Sequence, residues 1–305
     1  MKSSLTKQNV RGRIIKSLGG FYYVADSEQK GNIIECRARG AFRQQNVKPC
    51  VGDWAQVELT PQGKGYVVEI EERKNSLVRP PLANLDQLVL VVSIADPAPN
   101  AFVLDKLIAI AEYQEIEPII VITKCDLADP EEFAQIYRKA GFTVLETKSL
   151  QHEGIESVME ILKDKTSAFC GNSGAGKSTL LNAIDPRLSL DTGDISQKLG
   201  RGRHTTRHVE LYELPSGGFV ADTPGFSAVD LEKFQIILKD ELAGCFREMR
   251  QYEGKCRFRG CSHTKEAGCA VLEAVKNGEI SQSRHQSYLN LYELAKNIKE
   301  WEIGR

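Results

Sequence analysis

The chain has 305 residues, with 40 Lys and Arg against 41 Asp and Glu, for a formal net charge of −1. That balance excludes a globally basic nucleic-acid binder while leaving room for local patches, and the length calls for two or three domains. A hydrophobic content of 41% with 27% charged residues is that of an ordinary soluble globular protein. No apolar run approaches the ~20 residues of a membrane span and Met1-Lys2-Ser3-Ser4 opens no signal peptide, so a cytoplasmic protein is expected.

Residues 10–70 read as five short strands with turns between them, which predicts a small β-barrel, with the OB-fold as its natural form. Arg11, Arg13, Lys16, Arg37 and Arg39 lie on these strands beside Phe21, Tyr22 and Tyr23. Basic groups interleaved with aromatics suit RNA; an aromatic core under a solvated basic surface fits the same pattern. A polar connector with Arg79-Pro80-Pro81 follows, and the grammar then changes to alternating strand and helix. Apolar runs at 85–94 and 118–123 predict buried parallel strands. Helical periods at 104–115, 131–140 and 154–163 and a strand at 142–145 complete a doubly wound α/β domain, whose ligands bind at the carboxyl ends of the strands.

Those ends carry the chemistry. Thr123-Lys124-Cys125-Asp126 closes the second strand, and the Asp126 carboxylate can accept the two N–H donors that guanine offers and adenine lacks. A β-like run at 167–170 leads into Gly171-Asn172-Ser173-Gly174-Ala175-Gly176-Lys177-Ser178, with Thr179 opening a helical run. This is G-x-x-x-x-G-K-[ST] in a strand–loop–helix frame, a phosphate loop. Its glycines let backbone N–H groups curl round an anion, Lys177 reaches the β- and γ-phosphates, and the Ser178 hydroxyl ligates Mg²⁺. Residues 186–207 are polar, glycine-rich and aperiodic, and contain His204, Thr205 and Thr206. Threonines there can reach Mg²⁺ and the γ-phosphate in a switch segment. Two further strands, at 208–214 and 218–221, end in Asp222-Thr223-Pro224-Gly225-Phe226. Asp222 would hold Mg²⁺, directly or through water, and the Gly225 N–H would sense the γ-phosphate.

Of 8 cysteines, Cys36, Cys50, Cys125 and Cys170 are scattered, whereas Cys245, Cys256, Cys261 and Cys269 crowd together. Residues 231–252 read as mostly helical, Cys256-x₄-Cys261-x-His263-x₅-Cys269 follows, and a last helix is expected over 281–301. Three thiolates and an imidazole offer the closed tetrahedral set that structural zinc prefers. Cys245 has no place in that pattern and reads as a buried core cysteine. Lys255, Arg257, Arg259 and Lys265 around the site can meet phosphate or be merely solvated. His152, His208 and His285 read as surface or satisfied histidines.

The order of the pieces is unusual. Ordinary GTPases run phosphate loop, switch threonine, DxxG, then [NT]KxD; here the TKxD element comes first and DTPG last. With a barrel before and a cysteine cluster after, the chain resembles the circularly permuted ribosome-biogenesis GTPases of the RsgA/YjeQ family over nearly its whole length. The resemblance implies an OB-fold RNA-binding domain at 1–75, a permuted P-loop GTPase domain at 76–230 and a mostly helical zinc domain at 231–305. It also implies a monomer that hydrolyses GTP with Mg²⁺ on the small ribosomal subunit and its 16S rRNA late in maturation, with turnover stimulated by the subunit and affinity set by the nucleotide. The cysteine spacing matches the family's zinc motif at Cys256, Cys261, His263 and Cys269. Two departures stand out. Position 123 is Thr where many relatives have Asn, which should weaken the bracing of the phosphate loop, and the usual Ser-Ala-Lys loop is here Thr147-Lys148-Ser149-Leu150. Ras-type enzymes orient the catalytic water with a Gln after DxxG; that position is Phe226, which cannot hydrogen-bond water. His204, before Thr205 and Thr206, is the candidate orienting group and the matching position is implicated in the family; a histidine that only orders the loop is the alternative. Two rivals remain from other classes: an RNA-binding module regulated by nucleotide without turnover, and an ATP-dependent kinase.

Overall fold

The computed structural model describes residues 9–40, 42, 48–78, 80–188, 209–222 and 236–298. Five strands form the barrel: β1 (Asn9–Leu18), β2 (Phe21–Asp26), β3 (Ile33–Ala38), β4 (Trp54–Leu59) and β5 (Gly65–Ile70). Their side chains alternate, so that Ile14, Tyr22, Val24, Ile34, Cys36, Ala55, Val57 and Val67 fill one core. The strands pair in the order β1-β2-β3-β5-β4, and β4 returns antiparallel to β1, closing the sheet as an OB-fold. β1 must bend to serve both neighbours, and Gly12 permits this: a Cβ there would stand 2.5 Å from the Ala25 carbonyl oxygen.

A small hairpin, β6 (Ser76–Leu77) with β7 (Leu82–Ala83), leads to the central sheet. Its strands are β8 (Gln87–Ser93), β9 (Glu117–Thr123), β10 (Thr143–Glu146), β11 (Thr166–Gly171), β12 (Glu210–Glu213) and β13 (Phe219–Asp222). They lie in the order β10-β9-β8-β11-β13-β12, parallel throughout except for β12. Helices α1 (Ala101–Tyr113) and α2 (Glu131–Lys139) pack on one face, where Leu88, Leu90, Ile120 and Ile122 meet Leu107, Ile108 and Tyr137. Helices α3 (Ile155–Leu162) and α4 (Lys177–Ile184) cover the other, against Val89, Val91, Val121 and Phe169. Burial on both faces is why β8 and β9 read as unbroken apolar runs.

The barrel and the central sheet are continuous. β1 pairs antiparallel with β12 at Lys16↔Glu210, joining all eleven strands, and the two side chains form an ion pair of 2.7 Å. Beside this joint Arg13 is buried, donating to Thr166 Oγ1 at 2.6 Å and to the Asn84 carbonyl at 2.9 Å. Its guanidinium lies 5.3 Å from the Phe219 ring and 5.5 Å from that of Trp54. Burial pulls its pKa down to about 10, so it stays charged at neutral pH.

In the C-terminal part, the mostly helical stretch expected over 231–252 is, where described, a series of short helical segments: α5 (Lys239–Leu242), a 3₁₀ turn (Ala243–Cys245) and α6 (Arg247–Arg250). Breaking the helix brings Leu242, Cys245, Phe246 and Met249 into one apolar cluster with Ala109 of α1. α7 (Ala270–Lys276), not anticipated from sequence, and α8 (Gln282–Lys296) complete it. Arg284 of α8 is 1% exposed and pairs with both Asp105 of α1 and Glu248 of α6.

Candidate functional site

β8, β9 and β11 run parallel in a register that sets Val91 beside both Val121 and Gly171, and Ser93 beside Thr123. The TKxD turn and the phosphate loop therefore emerge from the same edge with one strand between them. Gly171 ends β11 where a Cβ would stand 2.5 Å from the Val91 carbonyl oxygen, so only glycine lets the chain turn there. Gly174 and Gly176 hold φ of 77° and 86°, and the Ala175 N–H closes a turn onto the Asn172 carbonyl at 3.1 Å. Gly176 is the N-cap of α4, so Lys177, Ser178 and Thr179 form the first helical turn, where backbone N–H groups lack partners within the helix. Asn172 and Ser173 are exposed on the rim. This arrangement can receive a polyphosphate.

Thr123 ties the two motifs together. It is 1% exposed and its Oγ1 donates to the Ala175 carbonyl inside the loop at 2.6 Å. The expectation of a weakened brace at this position thus meets a short, buried bond. Lys124 has φ 60° and its Nζ donates to the Asp96 carbonyl. Asp126 is exposed, with Gln151 Nε2 at 3.5 Å from its Oδ2. Residues 147–150 stand behind this turn: the Cys125 N–H donates to the Thr147 carbonyl at 3.3 Å, while Lys148 pairs with Glu153. Sequence reasoning missed the segment after β8, where the Pro97 ring stands against Gly174. Its Asp-Pro-Ala-Pro-Asn composition is a turn signal at the carboxyl end of a buried strand, and that was the available clue.

Asp222 ends β13 on the same edge, its backbone opposite Glu210. His204, Thr205, Thr206 and Gly225 lie outside the described residues.

The sulfur and nitrogen atoms of Cys256, Cys261, His263 and Cys269 all lie within 4.8 Å of one another. Cys256 Sγ is 3.8 Å from Cys269 Sγ and 3.6 Å from His263 Nδ1, which is 3.4 Å from Cys269 Sγ. Four donors about 2.3 Å from a common centre would be separated by about 3.8 Å, so the set fits a tetrahedral metal. The surrounding contacts hold it open. The Ala270 N–H points at Cys256 Sγ, Tyr288 donates to the Ser262 carbonyl at 2.7 Å, and His285 Nε2 lies 2.9 Å from the His263 carbonyl. His285 is accordingly a satisfied histidine. Burial would push the Glu266 carboxyl up, but bonds from the Ser262 hydroxyl and from the Lys265 and Ser262 N–H groups outweigh it and leave it at about 2. Cys245 is not one of these donors but shares the apolar cluster with Cys269, where burial pushes its thiol up to about 12.

Residues 70–232 match the family described as RsgA GTPase, and residues 11–67 match the RsgA N-terminal domain. A small ribosomal subunit biogenesis GTPase RsgA from Caldanaerobacter subterraneus subsp. tengcongensis is 47% identical over 301 residues, covering 98% of this chain and 99% of the relative. Among solved structures, YloQ, a circularly permuted GTPase, superposes with a TM-score of 0.81 at 38% identity, over 98% of this chain and 99% of its own. YjeQ from Thermotoga maritima gives 0.80 at 34%, over 96% and 100%.

Proposed function

This chain belongs to the RsgA GTPase family and hydrolyses GTP; on that premise we propose that it acts on the small ribosomal subunit during its late maturation, with turnover stimulated by the subunit and affinity for it set by the bound nucleotide. The Thr123 bond into the phosphate loop, which ties the TKxD and phosphate-loop motifs together despite their permuted order, supports the nucleotide site, and the small-subunit part is supported by the relative's name. Asp126 reads guanine, Lys177 binds the β- and γ-phosphates, and Ser178 with Asp222 and one of Thr205 and Thr206 holds Mg²⁺. The Gly225 N–H senses the γ-phosphate. The cysteine–histidine set holds one structural zinc ion, which supplies a fixed tetrahedral centre and takes no part in hydrolysis.

The barrel is the face for 16S rRNA. A concavity of about 550 Å³ is lined by Phe21, Tyr22 and Phe42 together with Arg37, Arg39 and Lys48. The Arg37 guanidinium lies 4.6 Å from the Phe21 ring, and such paired cations and rings suit stacked bases and their phosphates. The protein works as a cytoplasmic monomer.

His204 orients the attacking water. Steady-state phosphate release from GTP, with and without purified small subunits, tests both ideas. Subunits should stimulate release, and His204→Ala should lower the stimulated rate by about a hundred-fold or more while leaving GTP affinity unchanged. An unstimulated wild type would leave a nucleotide-regulated RNA binder; a normally stimulated mutant would remove His204 from the mechanism.

A further inference from the structure

Helix α1 lies between the nucleotide-facing edge and the C-terminal domain. Its lead-in, residues 95–100, crosses the phosphate loop. There the Asp96 carbonyl accepts from Lys124 Nζ, and an added Cβ at Gly174 would lie 3.2 Å from Pro97 Cδ. Asn100 fixes where the helix begins, its Oδ1 accepting from the Val103 N–H at 3.1 Å.

Further along, three arginines of the C-terminal domain converge on this helix. Arg284 Nη1 donates to Asp105 at 2.7 Å, and its Nε and Nη2 donate to Glu248 at 2.7 and 3.0 Å. Asp105 and Arg284 are each 1% exposed. Glu112 accepts from Arg247 at 2.5 Å and also from Arg250. Arg247 spans further, to Glu117 at 3.0 Å and to the Gly141 carbonyl at 3.1 Å. Glu117 heads β9, whose other end is Thr123. The C-terminal domain therefore grips both elements that deliver Lys124 and its partner Asp96.

Apolar side chains would bury this interface at less cost in desolvation than charges do. Ion pairs add directional bonds that fix α1 along its axis, which smooth apolar packing does not. We infer that Asp105 and Glu112 are positioning residues for nucleotide binding: the C-terminal domain, through them, holds α1 and its lead-in so that Lys124 and Gly174 keep the geometry that grips guanine nucleotide. The inference rests on the nucleotide site as read above.

The test is the dissociation rate of fluorescent GDP and GTP from the full chain, in Asp105→Asn and Glu112→Gln. Both substitutions keep side-chain shape and remove charge. Release of both nucleotides should quicken about ten-fold in each, because Lys124 and Gly174 serve both. Metal content and melting report folding. A purely structural role would lower the melting temperature without changing release from folded, metal-bearing protein, and that result overturns the inference. Should Asp105→Asn fail to fold, Glu112→Gln alone decides, because Glu112 lies at the α1 end away from the buried triad. Wild-type protein that binds no guanine nucleotide would instead sink the site reading itself.

Discussion

Thr123 shows how much one hydroxyl can do. The strand end leaves its Oγ1 facing the Ala175 carbonyl at 2.6 Å, in a place that is 1% exposed. Thr123→Val keeps the shape and orphans that carbonyl, which should cost about 1–2 kcal/mol, or about five- to thirty-fold in affinity for GTP and GDP alike. Titration with a fluorescent analogue checks it; unchanged affinity would show that the loop is braced elsewhere. Asp126→Asn is different in kind. It should weaken GTP and favour xanthosine triphosphate, because an amide no longer accepts two donors, and competition between the two nucleotides measures the shift. At this scale the sequence was most legible, since type and spacing placed the motif glycines where the turn and its positive φ values need them. The Asp96 carbonyl that meets Lys124 was not, because any residue carries a carbonyl and only the fold decides which one faces an ammonium.

Among the elements, those built from continuous apolar runs were readable, and β8 and β9 appear where the runs lie. The C-terminal helices were less so. α7 is too short to display a period, and its N-cap is Cys269, one of the four side chains that could hold a metal. Metal binding free energy becomes folding free energy in such a site, of order 10 kcal/mol for structural zinc. Purified protein should carry one zinc per chain. Stripping it with a chelator should open residues 255–270 to protease and loosen the packing of Phe246 on Tyr288, whose rings meet edge-on at 5.3 Å. Limited proteolysis with and without chelator reads this directly, and a segment that stays resistant without metal would contradict it.

For the whole molecule, the joint between barrel and central sheet matters most, and no local pattern foretold it. It combines the Lys16↔Glu210 register and one buried arginine with contacts such as Val51 in the core of the central sheet and the Ala83 N–H donating to the Val51 carbonyl at 2.9 Å. Arg13→Met would fill the space but leave the Thr166 hydroxyl and Asn84 carbonyl without their donor. That should cost about 1–3 kcal/mol and lower the melting temperature by about 2–4 °C for each kcal/mol. Deleting residues 1–75 should lower it further while GDP affinity stays within about three-fold, since Asp126 and the phosphate loop keep their own strands. Calorimetry and nucleotide titration on the two variants separate these effects, and a loss of GDP binding on truncation would mean that the joint shapes the nucleotide site itself.

The same joint also has a timetable. Arg13 is made well before its partner Thr166, which comes 153 residues later; at about 5–20 residues per second the wait is on the order of ten seconds or more. Phe219, the ring on its other side, comes later still. Meanwhile β1 to β5 already close on themselves through β1 and β4, so the barrel can finish while its guanidinium still lies in water. During synthesis, the surface proposed to meet RNA is therefore complete before the nucleotide site that would tell it when to let go.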